Sequence, residues 1–338
     1  MADHSGLPPL AISLGDPAGI GPELIAAAWA RREAEKLPAF CVVGGARLLA
    51  EAASQRGLAV DIQVIADPGE ALAAFTVALP VLPLADCDYT PGEPSEQGAA
   101  LALHSLAEAM RFALVGAASA LVTAPVAKSQ LVKVGFEYPG QTEFLAEASG
   151  LDTEAAVMML AGPSVRAVPL TIHCAIAEVP ARLSIELIVK KATITASALQ
   201  RDFGIANPRI AVSGLNPHAG EGGRFGREEL DIIAPAIELL VSQGIDATGP
   251  HPADALFAPR QRATFDAAIC MYHDQALIPV KALDFDQGVN VTLGLPFVRT
   301  SPDHGTAFDI AGKGIADPGA MIAAIRMAGG MAARRAAI

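Results

Sequence analysis

Aromatic side chains are scarce: one Trp, three Tyr and twelve Phe make up 5% of the 338 residues. A core of this composition has to be assembled from Ala, Val, Leu and Ile, which suits helices packed on a mainly parallel sheet. Cysteine is limited to Cys41, Cys87, Cys174 and Cys270, widely spaced and with no C-x-x-C pair. That spacing argues against a disulfide framework or a zinc-thiolate centre, and for small buried side chains in a reducing cytosol. Charge is sparse at 18%, with 24 basic against 36 acidic residues, a net −12 and no long basic run. A nucleic-acid groove needs a positive stripe, so nucleic acid is disfavoured as a partner. No apolar run approaches the span of a bilayer, and MADHSGLPPL has no charged segment followed by an apolar one. The expectation is a cytoplasmic protein with no membrane partner.

What is present is a high apolar content, 52%, which excludes a disordered chain. Strand-like runs alternate with helical patterns. PLAISLGD leads into PELIAAAWARREAEKL, AFCVVGG into ARLLAEAASQRG, and ALVTAPV into a helix beginning near Lys128. A loop rich in Pro, Gly and acidic residues, 86–95, precedes a helical stretch from about Glu96 to Val115. This alternation predicts an α/β fold with a mainly parallel sheet. The length suggests two α/β lobes with a cleft between them. The boundaries expected are 1–130 plus 305–338 for the first lobe and 131–304 for the second.

Three histidines sit at the ends of strand-like runs: His173 after VPLTI, His218 after RIAVSGLNP, and His273 after AAICMY. Strand ends of one polarity gather on one edge of such a sheet, where ligands bind. The intervals of 45 and 55 residues impose no metal spacing, so a shared ion and three unrelated histidines both remain open. An open set of three imidazoles would suit a Lewis acid better than a structural staple. Asp274 is placed to orient His273, and four glycines, Gly220, Gly222, Gly223 and Gly226, follow His218. His4, His104 and His251 have no comparable setting.

Other junctions carry polar chemistry. GDPAGIGPE, Gly15 to Glu23, reads either as an anion-holding turn at a helix start or as a plain tight turn, and lacks the Rossmann pattern. In VTAPVAKSQL, Thr123 and Lys128 lie at another strand-to-helix junction, where the lysine reads as solvated unless an anion is near. Thr142, in YPGQTEF, reads more simply as a helix cap than as a phosphate ligand. Lys281, Asn290 and Arg299 together suggest an anion pocket.

From GDPAGIGPE to HGTAFDIAGKG these segments, covering nearly the whole chain, resemble the 4-hydroxythreonine-4-phosphate dehydrogenase family of vitamin B6 biosynthesis, PdxA. The resemblance implies an isocitrate/isopropylmalate dehydrogenase-like fold and a homodimer with its active site at the interface. It implies a divalent metal (Zn, Co, Mg or Mn) held by His173, His218 and His273 from both protomers. Substrate contacts carry over to Gln141, Thr142, Lys281, Asn290 and Arg299. Lys281, Asp274 and Asp254 become the catalytic candidates. The HGTAFDIAGKG segment resembles the adenosine-binding loop of the wider dehydrogenase superfamily, so His304, Gly305, Thr306 and Asp309 become cofactor candidates. The Asp309 carboxylate favours NAD over NADP.

The implied reaction oxidises 4-phosphohydroxy-L-threonine to 2-amino-3-oxo-4-phosphonooxybutanoate, which decarboxylates to 3-amino-2-oxopropyl phosphate. One departure stands out: the family commonly has histidine where this chain has Gln141, which carries no charge. Alternatives are a paralogue oxidising a phosphorylated sugar acid or a cis-dihydrodiol carboxylate, a phosphate acyltransferase, and a non-enzymatic metal- or metabolite-binding protein.

Overall fold

The computed structural model describes residues 6–338; His4 and the first half of MADHSGLPPL lie outside the described residues. Two compact units are present, one formed by residues 6–153 and 295–337, the other by residues 154–294.

The first unit carries β1 (Leu10–Ser13), β2 (Phe40–Gly44), β3 (Ile62–Val64), β4 (Leu79–Pro83), β5 (Ala120–Thr123) and, from the C-terminal segment, β12 (Val298–Pro302). Their order is β3-β4-β2-β1-β5-β12, and every pairing is parallel. β1, β2, β5 and β12 are buried along their whole length, which requires cover on both faces and explains why β1, β2 and β5 read as mainly apolar runs, whereas β12 buries Arg299, Thr300 and Ser301. Numbering only the longer helices, that cover includes α1 (Gly21–Ala30), α2 (Ala46–Gln55), α3 (Glu96–Leu114) and the C-terminal α8 (Gly319–Ala336). α3 starts where Ser95 Oγ accepts from Gly98 N at 3.1 Å, an N-cap. The helix expected near Lys128 is a single turn, Lys128–Leu131, that runs into a tighter one and stops at Gly135 with φ 88°. It is followed by α4 (Gln141–Ala148).

The second unit carries β6 (Val157–Ala161), β7 (Arg166–Thr171), β8 (Arg209–Ser213), β9 (Asp246–His251), β10 (Ala267–Tyr272) and β11 (Val289–Leu293), in the order β11-β6-β7-β10-β8-β9. β7, β10, β8 and β9 run parallel. β6 is antiparallel to both β11 and β7, while the other pairings within the two units are parallel, in keeping with the mainly parallel expectation. The β6–β7 connection is short enough for a direct reversal, whereas parallel neighbours need a crossover. The crossovers supply α5 (Ile185–Phe203), α6 (Ala234–Ser242) and α7 (His273–Asp284). α5 is capped by Ser184 Oγ on Leu187 N at 3.1 Å and ends at left-handed Gly204, a pairing of N-cap and C-cap signals. Leu160, Ala167, Ala268, Cys270 and Val280 meet in this unit's core.

The boundaries therefore differ from those expected. Residues 131–153 belong with the first unit because Leu131 and Phe136 pack on Ala102 of α3, with Phe144 of α4 against them. Residues 295–304 belong there because β12 pairs with β5. All four cysteines are free, with Cys41 and Cys270 buried; burial pushes the Cys41 thiol up to about 12.

Candidate functional site

In the second unit, the C-terminal ends of β7, β10 and β8 lie side by side, with Val168, Ile269 and Val212 in register. Each strand delivers one of the three histidines. His173 follows β7 in a left-handed conformation, φ 49°. His273 opens α7 directly after β10. His218 lies beyond β8 in a run of left-handed residues from His218 to Glu221. Non-glycine residues avoid this region unless their surroundings enforce it, and such strain gathers at functional sites.

The structure brings two of the three together. The rings of His173 and His273 are 6.0 Å apart between centroids, tilted by 41°. His218 instead packs near Phe225, 6.3 Å between ring centroids. Among the described residues no three metal-binding side chains assemble within this single chain. The His273 Nδ1 is 2.7 Å from Asp274 Oδ1; with Nδ1–H donating to the carboxylate, Nε2 keeps its lone pair for a metal, the usual arrangement of a ligating imidazole and its supporting carboxylate. Neutral imidazole nitrogens so disposed fit a borderline divalent ion. A cavity of about 580 Å³ opens here, lined by Thr171, His173, Cys174, Arg182, Tyr272 and His273 among others.

Buried side chains stitch these strand ends together. Thr171 Oγ1 donates to Met271 O at 2.9 Å, tying β7 to β10. Gln275, 8% exposed, ties β10 to β8. Its Oε1 accepts from Met271 N at 2.6 Å and from Ser213 Oγ at 2.7 Å, and its Nε2 donates to Gly214 O at 2.8 Å. The sequence offers no sign of this role, because a glutamine two residues into a helix usually faces solvent. His251 was also undervalued: it ends β9 on the same edge, in register with Ser213. Its Nε2 lies 2.9 Å from Thr248 Oγ1, and burial lowers its pKa.

Lys281 lies on α7 seven residues after Asp274, so the two share a helix face to within about 20°; both are exposed. Asp254 is exposed in the single turn Ala253–Leu256 that follows β9. Asn290 stands on β11 opposite Leu160, and its Oδ1 is shielded from solvent with no partner among the described residues.

The first unit holds the other candidates. Arg299, on β12, is 4% exposed, and its Nη2 donates to Thr123 Oγ1 at 2.7 Å and to Gln141 Oε1 at 3.2 Å. Burial lowers the guanidinium to about 10, against the opposing influence of Glu143. The cation is therefore charged at neutral pH. Thr142 is not the cap of α4: that position is Gly140, with no side-chain cap bond. Thr142 is thereby left available as a ligand in the helix's first turn.

GDPAGIGPE and HGTAFDIAGKG also come together here. Ile20 N donates to Thr306 O at 3.0 Å, and a Cβ on Gly19 would sit 2.9 Å from that same oxygen. Glycine is thus required for close backbone approach. Asp16 is 1% exposed. Its Oδ1 accepts from Ala18 N at 3.0 Å, and burial raises its pKa despite that bond. His304 Nδ1 lies 3.1 Å from Gly305 O, while its Nε2 is shielded without a partner among the described residues. An orphaned ring nitrogen in a loop exposing Gly305 and Asp309 fits a bound polar cofactor. Lys128 is exposed at its helix start.

Residues 36–328 match the family model described as "Pyridoxal phosphate biosynthetic protein PdxA". A 4-hydroxythreonine-4-phosphate dehydrogenase from Erythrobacter litoralis is 66% identical over 97% of this chain and 98% of its own. The crystal structure of the enzyme of that name from Klebsiella pneumoniae superimposes with a TM-score of 0.85 at 36% identity, covering 96% of this chain and 99% of its own. A terephthalate 1,2-cis-dihydrodiol dehydrogenase from Burkholderia xenovorans is similar at lower likeness, with a TM-score of 0.64 and 31% identity over 94% of this chain and 96% of its own. No helix among the described residues is long and apolar enough to cross a membrane.

Proposed function

Since the chain belongs to the PdxA family, and is therefore an oxidoreductase of pyridoxal phosphate biosynthesis, we propose that it oxidises 4-phosphohydroxy-L-threonine in a metal- and NAD-dependent reaction. The observation that carries the metal is the pair of imidazoles, His173 and His273, 6.0 Å apart on neighbouring strand ends, the second oriented by Asp274. His218 completes the ligand set in a homodimer whose active site lies at the interface, which accounts for its separate position in one protomer. His173, His218 and His273 would hold the divalent ion, which would supply Lewis acidity toward the substrate hydroxyl, and His304, Gly305, Thr306 and Asp309 would hold NAD, which would supply the hydride acceptor.

The chain's own groups bind the substrate and handle the proton. Arg299, held by Thr123 and Gln141, supplies a guanidinium cation to the phosphate, with Thr142 and the amide of Gln141 adding neutral donors. Lys281 and Asn290 serve as further polar contacts. Lys281 Nζ, with Asp274 and Asp254 as its electrostatic partners, serves in proton transfer or in polarising the carbonyl as it forms. The product, 2-amino-3-oxo-4-phosphonooxybutanoate, is a β-keto acid. Its C–C bond to the carboxylate breaks, the electron pair passes to the ketone oxygen, and carbon dioxide leaves. Reprotonation at carbon, for which Lys281 Nζ is the donor, gives 3-amino-2-oxopropyl phosphate. The exposed carboxylate of Asp309 disfavours a 2′-phosphate, hence NAD over NADP.

A second reading rests on Gln141. With no charge of its own and its Oε1 turned toward Arg299, it offers a phosphate less than the family's histidine, which suits a carboxylate such as that of a cis-dihydrodiol acid. The deciding experiment measures NADH formation from 4-phosphohydroxythreonine, unphosphorylated hydroxythreonine and a cis-dihydrodiol carboxylate, with and without chelator. Chelator-sensitive turnover of the phosphorylated substrate is expected, and a preference for either other compound would replace this reading with the second.

A further inference from the structure

His218 sits in an unfavourable stretch of backbone. Four consecutive residues, His218, Ala219, Gly220 and Glu221, have φ of 53°, 51°, 77° and 43°, and three of them are not glycine. Left-handed backbone is unfavourable for L-residues, so something must hold the turn in place.

What holds it is Glu229, eleven residues further on and 3% exposed, in a wide turn, Glu229–Ile233, that leads into α6. Its Oε1 accepts from the backbone N–H of Leu215 at 2.8 Å and of Asn216 at 2.7 Å. Its Oε2 accepts from Asn216 Nδ2 at 2.9 Å, and the same amide donates to Glu228 Oε2 at 2.7 Å. Asn216 O in turn accepts from Ala219 N at 3.1 Å, closing the turn. Two glycines are shaped around the carboxylate: a Cβ on Gly220 would lie 2.6 Å from Glu229 Oε2, and one on Gly214 would lie 3.1 Å from Oε1 and 3.0 Å from Ala219 Cα. Every bond ends on the segment between β8 and His218. A buried carboxylate used only for burial would be a cost; here it satisfies backbone donors that a strained loop cannot satisfy within itself.

We propose that Glu229 is a positioning residue that holds the left-handed turn and so aims His218 at the metal. The inference rests on the reading of His218 as a metal ligand, and the test separates the two. The dimeric protein is stripped of metal and reloaded with cobalt, and affinity is read by competition with a chromogenic chelator alongside the visible cobalt absorption. His218→Ala serves as the reference. Glu229→Ala is expected to weaken cobalt binding about ten- to a hundredfold and to shift the visible band. Glu229→Gln, which keeps one oxygen for the two backbone donors but sets its NH2 against the Asn216 amide, should lose less affinity than Glu229→Ala.

If His218→Ala leaves affinity unchanged, the ligand assignment fails, and this inference with it. If His218→Ala weakens binding and Glu229→Ala does not, the positioning role alone is overturned. Should Glu229→Ala not fold, Asn216→Ala removes the amide that bridges Glu228 and Glu229 while leaving the carboxylate. A loss of about threefold or more is then expected, and an unchanged affinity overturns the proposal.

Discussion

Replacing Gln275 with leucine is expected to loosen the edge that carries the histidines by about 3–6 kcal/mol. Leucine matches the volume of the side chain but neither donates nor accepts. It would leave Met271 N–H, Ser213 Oγ and Gly214 O without the partners they have at 2.6, 2.7 and 2.8 Å. Each buried polar group so orphaned costs roughly 1–3 kcal/mol. The lower half of the summed range applies because the Ser213 hydroxyl can rotate toward another acceptor. The single Trp29 reports on the first unit, so its fluorescence would miss the effect. Amide exchange of the peptide spanning Ala267–Tyr272 reads it directly. A loss of 3 kcal/mol corresponds to exchange faster by about two orders of magnitude, provided local opening is what exposes the amide. Adding Ser213→Ala to the leucine variant removes one orphan and should restore about 1 kcal/mol, a non-additivity expected only of groups in contact. Exchange within about threefold of the parent would refute the claim that this side chain joins β8 to β10.

Two further substitutions test the first unit. Asp16→Asn keeps the oxygen that accepts from Ala18 N and removes a carboxyl whose pKa is raised by burial. Because the folded state then holds the proton more tightly than the unfolded one, the native Asp16 lowers stability as pH rises above the ordinary aspartate range. The variant should therefore unfold at higher denaturant than the parent at pH 7 by Trp29 fluorescence, with the difference vanishing below about pH 3; equal midpoints at pH 7 would contradict this. Arg299→Lys retains charge but is shorter and lacks the planar guanidinium whose Nη2 reaches both Thr123 and Gln141. KM for the phosphorylated substrate should rise about tenfold or more with kcat within a few-fold, and an unchanged KM would show that charge alone suffices.

Strand ends were legible because a buried parallel strand must be apolar throughout and then stop, so His173, His218 and His273 could be placed on one edge from their position after such runs. Strand order was not, since hydrophobic pattern does not record which strand lies beside which. β10 sits between β7 and β8 although it follows both in the chain, and His251 was set aside because its strand, DATGPH, is largely exposed and carries no apolar run. The antiparallel β6 was missed for the same reason, a buried run being silent about direction.

The polar supports were the least visible. Gln275 and Glu229 act through backbone atoms of distant segments, and a backbone N–H is identical in every residue type that has one. Only Gly220, one of the four glycines noted after His218, left a trace, and what comes close to it is a carboxylate nine residues away in sequence. A sequence pattern can thus mark where a ligand-bearing loop must be narrow. What the loop is narrow for depends on a hydrogen bond whose acceptor lies outside the pattern, so the support of a site is found by asking where each strained residue's neighbouring N–H groups go.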